Sequence, residues 1–340
     1  MLEVRPEFDA QVSVSVCIPT YDRPRELLKA LNSCFSQTYQ NFEIVIFDNS
    51  EDDSTHKLIE SLAKKNIRYF KNPKNVGPIE NLKLAVDHAN GKYIKVLMDD
   101  DILYPAAIEK MVVALESNSN AGVVMAPMEI IDDQDNRINY RAYLIKNLPL
   151  IYRYQKRSQI IPKKKILHDF LTSQYPCCVP SGIMYRKECF EVLGSLDLDM
   201  KFAVDVEICA RFATRYDFFY IDEPLSAWRY SKLSHTVINL HQKGQDTEIY
   251  YALTKKLITN PQVAAIFSVA EYEVVKKNAY FFSSKRAVIS IIAGIRSGNF
   301  ALIFQTLKIM RINDPYRSNL ILLPFNLAKE VLLAGLSWIR

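Results

Sequence analysis

Between Val12 and Ala126 the chain alternates short β-branched apolar runs with stretches of helical spacing, and this alternation constrains the fold most. The apolar runs are Val12–Ile18, Phe42–Phe47, Ile67–Phe70, Tyr93–Met98 and Ala121–Ala126. Each is bounded by turn residues and is expected to be a buried strand. Helices are expected over Arg23–Ser36, Ser54–Lys65, Ile79–Ala89 and Pro105–Ser117; the first carries Leu27, Leu28, Leu31 and Phe35 at helical spacing. Pro19 is expected to end the first strand, and Asn90-Gly91 to stop the third helix. Strands that alternate with helices mean βαβ units around a mostly parallel sheet, hence an α/β fold.

A chain of 340 residues accommodates one large core with an annex, or two domains. Met1 to Val12 is polar and charged with no apolar central run, so no signal peptide is expected. The six cysteines show no paired metal-ligand spacing, and Cys177-Cys178 are adjacent, so reduced cytoplasmic thiols are expected. Charge is uneven. From Lys276 to Arg340, ten basic residues are opposed only by Asp314 and Glu330, a net +8 in a chain of net +5. A basic tail beside an acidic body points to a negatively charged surface as partner, and no nucleic-acid partner is expected.

The pattern weakens from Asp132 to Tyr175, where a long loop and a short helix near Ile166–Thr172 are expected, with a basic cluster at Lys163-Lys164-Lys165. Further on, Gly182–Arg186 and Phe218–Ile221 read as strands, and Lys187–Leu193 and Val204–Tyr216 as helices. Beyond His241 the chain reads as helices joined by short turns. Neither Ala287–Phe304 nor Arg317–Arg340 offers about 20 uninterrupted apolar residues, so a membrane span is not expected. Two readings of this tail stand: basic amphipathic helices lying on anionic lipid, or a helical annex packed on the main domain.

The chemistry concentrates at Asp99-Asp100-Asp101, which follows the run Tyr93–Met98. Three like charges at a strand terminus repel one another unless a cation or donors lie between them. A hard divalent ion held by one or two carboxylates and by substrate phosphates is one solution. The end of a strand in an open α/β sheet is also where such folds bind ligands. The other reading is a solvated acidic turn ahead of the next helix.

The run Val14-Ser15-Val16-Cys17-Ile18-Pro19-Thr20-Tyr21-Asp22-Arg23 resembles the opening of the inverting glycosyltransferase family 2. Ser33–Ser50, Asn75-x-Gly77, Gly91-Lys92-Tyr93-Ile94 and Met98-Asp99-Asp100-Asp101 continue the resemblance in order and with matching spacing. It is strong over residues 12–130, extends to about residue 230, and is absent beyond. It implies a GT-A fold: a nucleotide-sugar-binding half over residues 1–130, an acceptor half over 131–240 and a basic helical region over 241–340.

The resemblance also implies residue roles. Pro19, Thr20, Tyr21, Asp48 and Asn49 would contact the nucleotide, with Asn49 standing where a second Asp is commoner. Asn75 and Asn81 would line the same site, or serve only as turn and helix-surface residues. Asp99 and Asp100 would belong to the nucleotide site, the first through the ribose, and the later aspartates would coordinate the metal. Asp101 and Asp99 would hold Mg2+ or Mn2+, with His235 as a further ligand because Ser231 replaces the expected His. Asp205 would be the catalytic base, with Glu207 in reserve, or else a helix-start carboxylate stabilised by the dipole. The implied activity is metal-dependent transfer from a nucleotide-diphosphate sugar to a glycan or lipid-linked acceptor at the cytoplasmic membrane face. A non-catalytic nucleotide-sugar or glycan-binding scaffold is the competing reading. A sugar-1-phosphate nucleotidyltransferase would need a Gly-rich basic loop after the first strand, and a nicotinamide dehydrogenase a G-x-G-x-x-G; neither occurs.

Overall fold

The computed structural model describes residues 3–4, 13–138, 157–173, 180–200, 203–231 and 246–316. The chain divides into two compact units, Met1–Ile166 with Tyr175–Tyr230, and Leu167–Gln174 with Ser231–Arg340.

The first unit opens with β1 (Glu3–Val4), β2 (Val14–Thr20), α1 (Pro24–Phe35), β3 (Phe42–Asp48), α2 (Ser54–Leu62), β4 (Ile67–Lys71) and α3 (Pro78–Asp87). Then come β5 (Tyr93–Val96), β6 (Ile102–Leu103), α4 (Ala107–Glu116), β7 (Ala121–Met125), β8 (Met128–Ile131) and β9 (Gln159–Ile161). Helix α5 (Lys163–Ser173) begins in this unit and ends in the second. A 3-10 turn (Pro180–Gly182), β10 (Ile183–Arg186), α6 (Lys187–Leu193), α7 (Val204–Phe212), β11 (Asp217–Tyr220) and β12 (Ser226–Arg229) complete it.

The expected strands and helices of residues 12–126 all form, and the five strands join β1, β9, β10 and β11 in one nine-stranded sheet in the order β1-β4-β3-β2-β5-β10-β7-β11-β9. Strands β4, β3, β2 and β5 are mutually parallel, and β7 and β11 are parallel to each other. Strand β10 lies antiparallel between β5 and β7, so the later half of the unit is laced into the earlier one. Every residue of β2 and β3 is buried, as a strand covered on both faces requires. Leu27, Ala30, Leu31 and Cys34 of α1 supply part of that cover.

The chain runs from β2 through β3 to β4 on one side of β2, then returns as β5 on the other. The order therefore reverses at β2, and the crevice beyond the carboxyl ends of β2 and β5 is the topological switch point. A second, three-stranded sheet, β6-β12-β8, starts just past that crevice, because β6 begins at Ile102. These strands span two to four residues and carry no sequence signal of their own.

Three local expectations change. Strand β2 runs through Pro19 to Thr20. Its ladder with β5 ends at Cys17↔Val96, while pairing with β3 continues to Thr20↔Asp48. Thr20 turns its carbonyl toward β3, so the missing N–H of Pro19 falls on the side where no ladder remains. Gly91 is not a left-handed helix stop, since the positive-φ glycines described are Gly77, Gly194 and Gly298. Instead a Cβ on Gly91 would lie 2.5 Å from the backbone nitrogen of Ser15, so glycine admits the close approach of the α3–β5 loop to β2. Lys163, Lys164 and Lys165 form the first turn of α5 rather than part of a loop.

The second unit is helical: α8 (Asp246–Ile258), α9 (Pro261–Ala264), α10 (Val269–Ser297) and α11 (Phe300–Asn313). Ser268 and Glu271 form a reciprocal capping box at the start of α10. Buried hydroxyl pairs join α8 to α10: Tyr251 with Ser284 at 2.9 Å and Thr254 with Ser283 at 2.8 Å. Among the described residues no helix is long and apolar enough to cross a membrane. The segment Arg317–Arg340 lies outside the described residues, as do His235, Cys177 and Cys178. Cys17, Cys34, Cys189 and Cys209 are buried free thiols.

Candidate functional site

The acidic triplet lies between β5 of the large sheet and β6 of the small one, at the switch point. Its three carboxylates have different surroundings. Asp99 accepts from the Thr20 hydroxyl at 2.8 Å, which ties the end of β2 to the end of β5. Burial and the neighbouring Asp100 push its pKa up to about 7. Asp100 is the most open of the three and accepts from Arg23 Nη1 at 2.7 Å; the same nitrogen lies 3.7 Å from Asp99 Oδ1. Burial raises Asp100 as well, and Arg23 opposes that rise.

Asp101 is turned inward and 1% exposed. One of its oxygens accepts from the Ser181 hydroxyl at 2.5 Å, the other from the Arg229 backbone N–H at 3.0 Å. Burial, then Asp100, pushes its pKa well above the ordinary carboxylate range. Each Asp101 oxygen thus accepts one hydrogen bond that holds the loop and keeps a further lone pair for a ligand. Ser181 and the Arg229 backbone thus hold Asp101, contacts that the sequence pattern did not reveal. Arg229 also donates Nε to the Asp100 carbonyl at 2.9 Å, so one arginine from β12 braces two of the three residues. The hint in the sequence was a Pro-Ser-Gly turn just before a strand.

The residues expected to face a nucleotide separate into two sets. Tyr21, 43% exposed, stands at the open edge. Beside it Asp22 adopts a left-handed φ of 50° and donates its N–H to Ser50 Oγ at 2.8 Å. Asp48, in contrast, is fully buried and accepts from the Ser50 N–H at 2.8 Å and the Tyr69 hydroxyl at 2.7 Å. Asn49 accepts from Asn72 Nδ2 at 2.8 Å and donates to the Gly77 carbonyl at 3.2 Å. Asn81 accepts from the same Asn72 nitrogen at 2.8 Å and donates to the carbonyls of Thr20 and Phe47. Asn49, Asn72 and Asn81 thus knit the ends of β2, β3 and β4 to α3. Asp48, Asn49 and Asn81 all engage protein partners through their polar atoms and so brace the site's floor. Asn75 is an exposed turn residue whose side chain accepts from the Gly77 N–H at 2.8 Å.

Asp205 is the second residue of α7, after Ala203 in a left-handed conformation (φ 56°). It is half-buried in an apolar cleft lined by Leu82, Val86, Val96, Tyr185, Phe190 and Ile208, among others, and among the described residues is the one charged residue of that lining. Burial pushes its pKa up to about 6, against the backbone N–H groups at the helix start. Pro180 also lines this cleft, and the adjacent Ser181 holds Asp101. One short turn therefore connects the surroundings of Asp205 with the acidic loop. Glu207, the reserve candidate for the base, has different surroundings. It is buried and gripped by Arg211 through Nε at 2.9 Å and Nη2 at 3.0 Å.

Among the described residues no group of three or more His, Cys, Asp or Glu side chains could hold a metal ion by itself. Chemically, the site offers a largely buried carboxylate pair matched by the Arg23 guanidinium, an exposed tyrosine, and a separate carboxylate of raised basicity in an apolar cleft.

A family model described as Glycosyl transferase family 2 matches residues 15–194. An uncharacterized glycosyltransferase of Rickettsia prowazekii is 25% identical over 312 residues, covering 88% of this chain and 92% of that protein. One from Methanocaldococcus jannaschii is 27% identical over 246 residues, covering 71% and 78%. Among solved structures, S. aureus TarS 1-349 in complex with UDP-GlcNAc superposes with a TM-score of 0.58 at 14% identity, covering 90% of this chain and 93% of that one. The mannosyltransferase PcManGT from Pyrobaculum calidifontis, in complex with GDP-Man and Mn2+, superposes with a TM-score of 0.55 at 17% identity, covering 96% and 88%. At these identities the structures speak for the fold, and the expected GT-A architecture is borne out.

Proposed function

This chain belongs to glycosyl transferase family 2, and from that membership we propose that it moves a sugar from a nucleoside-diphosphate donor to a hydroxyl of a glycan or lipid-linked acceptor, with inversion at the anomeric carbon. Such a transfer serves surface polysaccharide assembly at the cytoplasmic face. The observation that carries the reading is the pairing of two chemistries across one turn. The Asp99–Asp100 pair stands at the switch point, and Asp205 stands in an apolar cleft beside it.

The carboxylates fit a Mg2+ or Mn2+ ion of one kind. One or two protein carboxylates suit an ion that completes its shell with water and substrate phosphates. Asp100, with Asp99 next to it, would hold the ion, whereas Asp101 shapes the loop. When bound, the ion supplies charge neutralisation on the leaving nucleoside diphosphate. Tyr21 at the exposed edge offers a ring face to the nucleotide base. Asp205 accepts the proton of the acceptor hydroxyl as that oxygen forms its bond to the anomeric carbon. The bond from that carbon to the diphosphate oxygen breaks with its electron pair, and the nucleoside diphosphate departs. A carboxylate whose pKa lies near 6 is ionised at neutral pH and is a stronger base than an ordinary aspartate.

The test is release of nucleoside diphosphate from a panel of UDP-, GDP- and dTDP-sugars with Mn2+ present. Release from one donor class, absent without metal, is the expected result. Binding without release in any condition would favour the scaffold reading instead.

The C-terminal unit has a part in this proposal. Phe300, Phe304 and Ile312 of α11 are 69%, 71% and 69% exposed, and Lys308 and Arg311 are exposed among them. Aromatic groups interspersed with cations suit the interface of an anionic bilayer. The protein is expected to co-sediment with phosphatidylglycerol vesicles and not with phosphatidylcholine vesicles. The double variant Phe300→Ser/Phe304→Ser should bind about tenfold more weakly or worse, since each buried Phe contributes about 1.5–3 kcal/mol. Equal binding by the variant would remove α11 from this role.

A further inference from the structure

Arg23 has no assigned part in the transfer, yet it stands where the site's charge is concentrated. Its guanidinium reaches Asp100 at 2.7 Å and Asp99 at 3.7 Å, and its side chain is one third exposed. Asp22 explains the placement. Its left-handed backbone and its N–H bond to Ser50 fix the chain just before α1, so the next side chain turns back over the acidic pair. Two adjacent buried carboxylates cannot both ionise cheaply without a counter-charge, and Arg23 is that counter-charge. It therefore holds an oxygen of Asp100 that a divalent ion would also use. A nucleoside diphosphate is a strong rival for the guanidinium, since phosphate oxygens accept a planar fork of N–H donors well.

We propose that Arg23 is an exchangeable counter-ion. It closes the Asp99–Asp100 pair when the site is empty, and it transfers to the diphosphate when the nucleotide binds, ceding Asp100 to the metal. The proposal rests on the metal–diphosphate reading above. Its consequence is positive coupling. Metal alone binds weakly, nucleotide strengthens metal binding, and by reciprocity metal strengthens nucleotide binding by the same factor.

Mn2+ binding to the full chain, read by electron paramagnetic resonance of free Mn2+, tests this without any turnover. Titrations are run with Mn2+ alone, with Mn2+ plus UDP and with Mn2+ plus GDP. Arg23→Gln is expected to bind Mn2+ alone at least tenfold more tightly than the wild type. In the same variant the factor by which the nucleotide strengthens Mn2+ binding should fall at least tenfold. Arg23→Lys, which keeps a charge but not the fork, should lie between the two. Equal Mn2+ affinity of wild type and Arg23→Gln, with binding lost in Asp100→Asn, would overturn the counter-ion role and leave the metal site standing. No Mn2+ binding by any variant, with or without either nucleotide, would overturn both.

Discussion

Asp205→Asn is expected to lower turnover by about 10²–10⁴-fold while leaving donor affinity within a few-fold of the wild type. The amide keeps the shape of the side chain but cannot take a proton from the acceptor hydroxyl. Stability separates this effect from misfolding. A carboxylate whose folded pKa is raised from 3.8 to about 6 binds its proton more tightly in the folded state. Its contribution to stability is therefore present at low pH and lost as pH rises through about 6. At neutral pH the charged form is a burden in its apolar cleft, and neutral Asn removes that burden, so the variant should melt no lower than the wild type. The pH profile gives a second check. Turnover by the wild type should rise with pH through about 6 as Asp205 ionises, and the residual turnover of the variant should lack that limb. A variant that retains wild-type turnover and the limb would take Asp205 out of the reaction.

The second large effect distinguishes two neighbours. Asp100→Asn should fold normally and lose metal-dependent donor binding by about 100-fold or more, since its side-chain partner is the exchangeable Arg23 guanidinium. Asp101→Asn should behave differently. Its carboxylate accepts from both Ser181 and the Arg229 backbone, and an amide can accept at one oxygen only. One buried donor then faces an NH2 group, a loss of about 1–3 kcal/mol of stability. Thermal or urea unfolding beside calorimetric donor titration reads both. The reverse pattern, with stability lost in Asp100→Asn and metal dependence lost in Asp101→Asn, would return the metal role to Asp101.

Much of the framework was legible because it is carried by local pattern. The buried runs of β2 and β3, the helical spacing of α1 and the boundaries of α6 need no long-range information. The position of the acidic triplet just past the end of a buried strand was legible too, because the run before it is mostly apolar. What could not be read is which atom faces which way. Asp99, Asp100 and Asp101 are identical in composition, yet Ser181 and Arg229, 80 and 128 residues from Asp101, set which way the last one turns. Tyr69 and Asn72 likewise orient Asp48, Asn49 and Asn81 from a distance in sequence. The small sheet β6-β12-β8 escaped notice because its strands are too short to show alternation and exist only through pairing. Arg23 was visible as part of a motif, but its role depends on the turn at Asp22.

The most direct measurement is calorimetric titration of UDP-, GDP- and dTDP-sugars into the wild-type protein, with and without Mn2+. The account expects one nucleotide class to bind, at least tenfold more tightly with Mn2+ than without. Folded protein that binds none of the three classes with metal present would contradict a donor site at the ends of β2 and β5.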